Sequence, residues 1–205
     1  MRQILLAVVV IVLVWSGIHP HDRFTWFLEV APVLIGLPIV VVTAGRFPLT
    51  ALSCVLLTIH ACILMVGGKY TYAEVPLGFW VSELMGWTRN NYDRLGHLAQ
   101  GFVPAIVGRE ILLRTSPLRP GKWLAFIVVC ICLAISASYE LVEWRTAVRT
   151  GEAAEAFLGT QGDPWDTQED MAMAGIGAIV ALVALAGVQD RQLKRIVQPP
   201  NRLTA

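Results

Sequence analysis

Three segments of the sequence carry acids, and one of them a histidine, at helical spacing. In "YDRLGHLAQGF" Asp93 and His97 stand four apart, in "ISASYELVEW" Glu140 and Glu143 stand three apart, and in "DPWDTQED" Asp166 and Asp170 stand four apart. Residues three or four apart share one face of an α-helix, so each segment presents a pair of ionisable groups on one side. Carboxylates with an imidazole form a hard oxygen-and-nitrogen site for a divalent metal such as Mg, Mn, Fe or Zn. An Asp–His pair with a further carboxylate can equally serve as general base and acid. The candidate catalytic residues are Asp93, His97, Glu140 and Asp170. The candidate metal ligands are His97, Glu140 and Asp170, with Asp166, Glu143, His60 and Glu29 as additional candidates.

The elements that must position these residues are membrane helices. Of the 205 residues, 56% are hydrophobic and 15% charged, against about half and about a quarter in soluble domains. Six apolar stretches approach the ~20 residues that cross the hydrocarbon core. They lie at about 3–18, 24–44, 48–66, 92–113, 122–144 and 167–188. The expectation is an all-α polytopic bundle, kinked at Pro32, Pro38 and Pro104, where neighbours must satisfy the freed carbonyls. The first stretch lacks a small-x-small cleavage motif and reads as a retained span. Residues 67–91 form an aromatic loop with Tyr70, Tyr72, Phe79, Trp80 and Trp87, in which "PLGFWVSELMGW" reads as a short interfacial helix. Residues 191–205 read as a basic, partly disordered tail.

Nine basic residues fall on one side of this topology and six on the other, which places both termini and the tail in the cytoplasm. The 67–91 loop then faces outward, and the three polar pairs arrive at one depth near the outer surface, joined by Glu29 and His60. An ionisable group costs roughly 2.5–3.5 kcal/mol at the centre of a membrane helix, so such groups face a cavity or a partner.

Each residue also has a purely structural role to weigh. Asp163, Asp166 and Glu169 suit a solvated helix cap, with Asp166 and Glu169 at capping-box spacing. Asp93 can cap its own helix while Arg94 snorkels to the headgroups. His60 suits a hydrogen-bonded core histidine, Glu143 an exposed acid, and Glu110 an acid in cytoplasmic water. Ser136, Ser138 and Tyr139 are placed to satisfy Glu140. Ala174, Gly177, Ala178 and Ala181 suit close helix packing. The four cysteines read as small buried hydrophobes. The net charge of +1 says nothing about nucleic acid, but with no basic domain or dense basic stripe no nucleic-acid partner is expected, and no nucleotide or Gly-x-Ser-x-Gly motif is present.

"YDRLGHLAQGF", "SASYELVEW" and "GDPWDTQEDMAMAGIGA", in that order, resemble the YjdF-like family of bacterial inner-membrane proteins. The resemblance implies a multi-pass inner-membrane protein and no particular reaction. Asp93, His97, Glu140 and Asp170 also match a looser pattern shared with VanZ-like membrane proteins, where Ala174 stands at that pattern's Asn position. The VanZ-like likeness implies a role in the cell envelope. Together these expectations favour a polar, metal-binding or acid–base site at the outer face, acting on membrane lipids or a lipid-linked envelope component. A non-catalytic scaffold and a proton-coupled transporter are the alternatives; the inner half offers a transporter little beyond Arg109 and Glu110.

Overall fold

A computed structural model describes residues 1–150 and 161–197. The described residues form seven α-helices and a 3-10 turn, and no strand. In chain order these are α1 (Arg2–Gly17), α2 (Arg23–Thr43), α3 (Ala51–Tyr70), the turn Tyr72–Glu74, α4 (Pro76–Met85), α5 (Tyr92–Thr115), α6 (Lys122–Thr150) and α7 (Asp166–Val197).

Local chemistry sets the boundaries. Asp22 caps α2 by accepting the Thr25 N–H at 2.7 Å, and Thr50 caps α3 by accepting from Ser53 N–H at 3.2 Å. Pro76 opens α4 at its first turn, and Gly86 ends it in the left-handed region at φ +68°. Pro32, Pro38 and Pro104 lie inside α2 and α5, which continue through them.

All six expected apolar stretches are helices. Four of them, α2, α3, α6 and α7, are long and apolar enough to cross a membrane. The 16-residue α1 reaches about 24 Å, short of a ~30 Å hydrocarbon core, and α5 carries too many polar groups to count among them. The expected tail begins later than residue 191, because α7 runs on to Val197; residues 198–205 of the expected tail lie outside the described residues. The 67–91 loop does hold the short helix, with Phe79 and Trp80 exposed, but Tyr72 is buried against Tyr92 with ring centroids 5.7 Å apart.

Cross-helix hydrogen bonds define two ends of the bundle. At one, Arg2 donates to the Leu49 carbonyl, Arg114 to the Pro48 carbonyl, and Leu52 N–H to Gln192. The start of α1, the α2–α3 turn and the ends of α5 and α7 therefore gather together. At the other end Lys69 donates to the Ile18 carbonyl at 2.7 Å, and the loop before α5 meets the start of α7.

The polar helix α5 runs through the middle, against α3, α6 and α7. Its contact with α7 is backbone on backbone. A Cβ on Gly101 would lie 1.8 Å from the Ala174 carbonyl oxygen, and one on Gly177 would lie 2.1 Å from that of Leu98. Ala174, Ala178 and Ala181 are wholly buried along the same seam, as small residues at a membrane-helix interface should be. One apolar cluster joins α1, α2 and α3 around Val30 and Met65; another joins α5, α6 and α7 around Ile106 and Val128. The polar groups of α5 lie above and below this second cluster.

Candidate metal centre

The first two turns of α5 deliver Asp93, His97 and Gln100 to one face. The loop that aims them is pinned: Asn90 exchanges two hydrogen bonds with Gln161 and donates a third to the Val75 carbonyl. The close Gly101–Ala174 contact then brings the start of α7 against this face, and α6 closes it from the third side.

Asp93, His97, Glu140 and Asp170 meet. The Nε2 of His97 lies 3.6 Å from Asp93 Oδ1, 3.7 Å from Glu140 Oε1 and 3.9 Å from Asp170 Oδ2. All four side chains are buried, Asp170 to 2% exposure. The other ring nitrogen, Nδ1, is 3.0 Å from Gln100 Oε1, which accepts the ring N–H and turns the Nε2 lone pair towards the carboxylates. The three carboxylate distances from Nε2, by contrast, are too long for hydrogen bonds. Glu140 Oε1 and Asp170 Oδ1 have no hydrogen-bond partner among the described residues. Ser136 Oγ is unpartnered, Ser138 donates to the Ala134 carbonyl and Tyr139 to Glu29, so none of the three satisfies Glu140 Oε1 as expected. Ligand atoms of Asp93, His97 and Asp170 lie within 4.8 Å of one another, as do those of His97, Glu140 and Glu143.

Around this centre lies a second layer. Tyr139 donates to Glu29 Oε2 at 2.9 Å, and its ring stands edge-on to His97 at 6.5 Å. Glu29, Tyr72, Asp93, His97, Tyr139 and Glu143 line a cavity of about 20 Å³, room for a single water or ion. Glu143, expected to be an exposed acid, is buried here because α6 continues past it and turns it inward. His60 is buried on α3 with an unpartnered Nε2 and contributes no ligand atom to either group. It neither joins the centre nor finds the hydrogen bond expected of a core histidine.

The acids expected to be solvated caps are held by arginines instead. Arg89 bridges Asp163 and Asp166 at 3.0 and 2.7 Å, and Arg94 bridges Asp163 and Glu169. Asp166 is the first residue of α7 and is 4% exposed, so the capping box is replaced by an ion-pair clamp that ties the start of α7 to the loop before α5 and to the first turn of α5. Arg94 is engaged here and does not snorkel to the headgroups. Asp93, rather than capping α5, points into the centre.

The other buried polar group centres on Glu110, for which the sequence suggests an acid in cytoplasmic water. Glu110 is wholly buried and accepts from Thr50 N–H at 2.9 Å, Thr50 Oγ1 at 2.7 Å, Ser53 Oγ at 2.6 Å and Arg114 at 2.9 Å. It caps α3 from a different helix. Arg109 beside it pairs with Gln189 and Asp190 of α7. The Arg114 pair is local, four residues on, but Ser53 and Thr50 are 57 and 60 residues away and no local spacing marks them.

A family model described as a predicted membrane protein, DUF2238, matches residues 1–191. Inner membrane protein YjdF of Escherichia coli (strain K12) is 53% identical over 185 residues, covering 90% of this chain and 88% of that protein. Neither match is to a VanZ-like protein. No solved structure matches the chain. The likeness carried by three late segments thus extends over nearly the whole length, and with its apolar helices the chain is an integral protein of the inner membrane. By both matches the chain belongs to the DUF2238 family of predicted membrane proteins.

Proposed function

We propose that this protein holds a divalent metal at His97, Asp93, Glu140 and Asp170, near the outer membrane face, and uses the site on a lipid or lipid-linked envelope component. The observation that carries the reading is the gathering of three carboxylate oxygens within 3.6–3.9 Å of one imidazole nitrogen, with Glu140 Oε1 and Asp170 Oδ1 left unpartnered. Buried charges at that spacing cost several kcal/mol per ion unless something compensates them. A divalent cation does so, and oxygen ligands with one imidazole suit Mg, Mn, Fe or Zn. When bound, such an ion polarises a phosphoryl or carbonyl oxygen or activates a water.

A lipid substrate is supported by the flank of the site. Ile131, Ala134, Ile135, Ser138, Tyr139 and Val142 line an apolar groove of about 430 Å³ on α6. Tyr139 belongs both to this groove and to the polar cavity, so a chain in the groove brings its polar end towards Glu29 and His97. Basic residues in the loops at the opposite end favour a cytoplasmic position for the termini and an outward one for the site.

The scaffold alternative draws on the Arg89–Asp166 clamp, which holds the loop before α5 to the start of α7 without a ligand. The transporter alternative is weakened by α5, which has only apolar and small residues from Gly101 to Gly108. Comparing membrane lipids of cells with wild-type protein and with His97→Ala, Glu140→Gln or Asp170→Asn separates the readings. A shared lipid change in all three supports the site. Unchanged lipids with lowered protein stability support the scaffold.

A further inference from the structure

We propose that the cavity beside the centre is a second cation site, so that the protein holds a pair of divalent ions rather than one. The inference rests on the metal reading above and deepens it.

Five carboxylates are buried together: Glu29, Asp93, Glu140, Glu143 and Asp170, none above 8% exposed. Among the described residues, no lysine or arginine pairs with any of the five; the nearby Arg89 and Arg94 are occupied by Asp163, Asp166 and Glu169. One divalent ion held by His97, Asp93, Glu140 and Asp170 leaves Glu29 and Glu143 unused, and ionisable groups in a membrane interior face a partner or a cavity.

Geometry says where the second ion belongs. His97 offers only Nε2, since Nδ1 is held by Gln100. The ligand atoms nevertheless form two overlapping groups, one with Asp93 and Asp170 and one with Glu140 and Glu143. The 20 Å³ cavity lies on the Glu143 side and is lined by Glu29, Asp93 and Glu143. Glu143 is 8% exposed, and among the described residues no hydrogen bond or ion pair engages it. Glu29 is aimed by the Tyr139 hydroxyl. Asp93 belongs to the first group and also lines the cavity, so it is the carboxylate placed to bridge the two ions. Inward-facing carboxylates with a histidine, contributed by several helices of a bundle, are a known way to hold two ions about 3.5–4 Å apart.

The test uses the full-length protein in nanodiscs, stripped with chelator and titrated with Mn²⁺. Bound ion is counted by mass spectrometry and its environment followed by electron paramagnetic resonance. The expected result is two Mn²⁺ per chain with an exchange-coupled spectrum. Glu143→Gln, and independently Glu29→Gln, should halve the content and restore the spectrum of an isolated ion. One Mn²⁺ per wild-type chain overturns the second site and leaves the first standing. No Mn²⁺ overturns both. Two uncoupled ions, or two that persist in both variants, also overturn the pair.

Discussion

Gly101 of α5 and Ala174 of α7 touch backbone to backbone: a Cβ on the glycine would fall 1.8 Å from the alanine carbonyl oxygen. That contact sets how near the Asp93–His97 face of α5 comes to Asp170, one turn before Ala174. Gly101→Ala must therefore push two helices apart. Overpacking typically costs 1–3 kcal/mol, and with backbone as the obstacle about 3 kcal/mol is expected, with loss of bound metal. Gly187→Ala, where a Cβ meets nothing within 4 Å, should instead stabilise by about 0.5–1 kcal/mol. Thermal unfolding in nanodiscs measures both.

Asp170→Asn has opposite effects with and without metal. With chelator, the variant should be more stable than wild type, because a buried, partly unpartnered carboxylate has become neutral. With Mn²⁺ in excess the order should reverse. An ion at about a hundred times its Kd stabilises wild type by about 2.7 kcal/mol and the variant far less. The same melting temperature change on adding Mn²⁺ to both proteins would remove Asp170 from the ligand set.

Glu110 separates structure from site. Glu110→Ala strands Arg114 and the Thr50 N–H in a buried pocket, and breaking a buried pair costs about 3–5 kcal/mol. Glu110→Gln keeps acceptor capacity and should lose less. Neither change should alter metal bound per folded chain, measured on the monodisperse fraction.

The Arg89–Asp166 pair should show up in a double-mutant cycle. Arg89→Gln removes charged hydrogen bonds to Asp163 and Asp166 and is expected to cost about 2 kcal/mol. Once Asp166→Asn is present the further cost should fall, a coupling of about 0.5–3 kcal/mol. Additive losses would mean that Asp166 is held by something other than Arg89.

Asp22 gives a pH signature outside the spans. The Thr25 N–H it accepts holds its carboxyl below the usual range. A depressed folded value means stabilisation that is present above the unfolded pKa of about 3.9 and lost as pH falls through the folded one. Asp22→Ala should cost about 1 kcal/mol at neutral pH, and the difference from wild type should vanish in strong acid. Stability measured from pH 7 down to the acid limit checks the sign.

How much of this was legible in the sequence depends on whether the information is local. The start of α5 at Tyr92 and the importance of Asp93, His97, Glu140 and Asp170 are legible locally, because spacing assigns residues to a face and an ionisable group in an apolar run needs a reason. The neighbour opposite each face is not local. Glu143 is turned inward because α6 continues past it, Asp166 is clamped by an arginine 77 residues away, and Glu110 holds the helix cap at Thr50, 60 residues earlier. His60 satisfies the same local rule as His97 and stands apart from the centre. Composition and periodicity are enough for the class, the helices and which groups are too polar for lipid. Which of those groups meet is a matter of packing, because the rotation and spacing of α5 against α7 come from the Gly101–Ala174 and Gly177–Leu98 contacts, and a contact across more than seventy residues leaves no periodic mark in either helix.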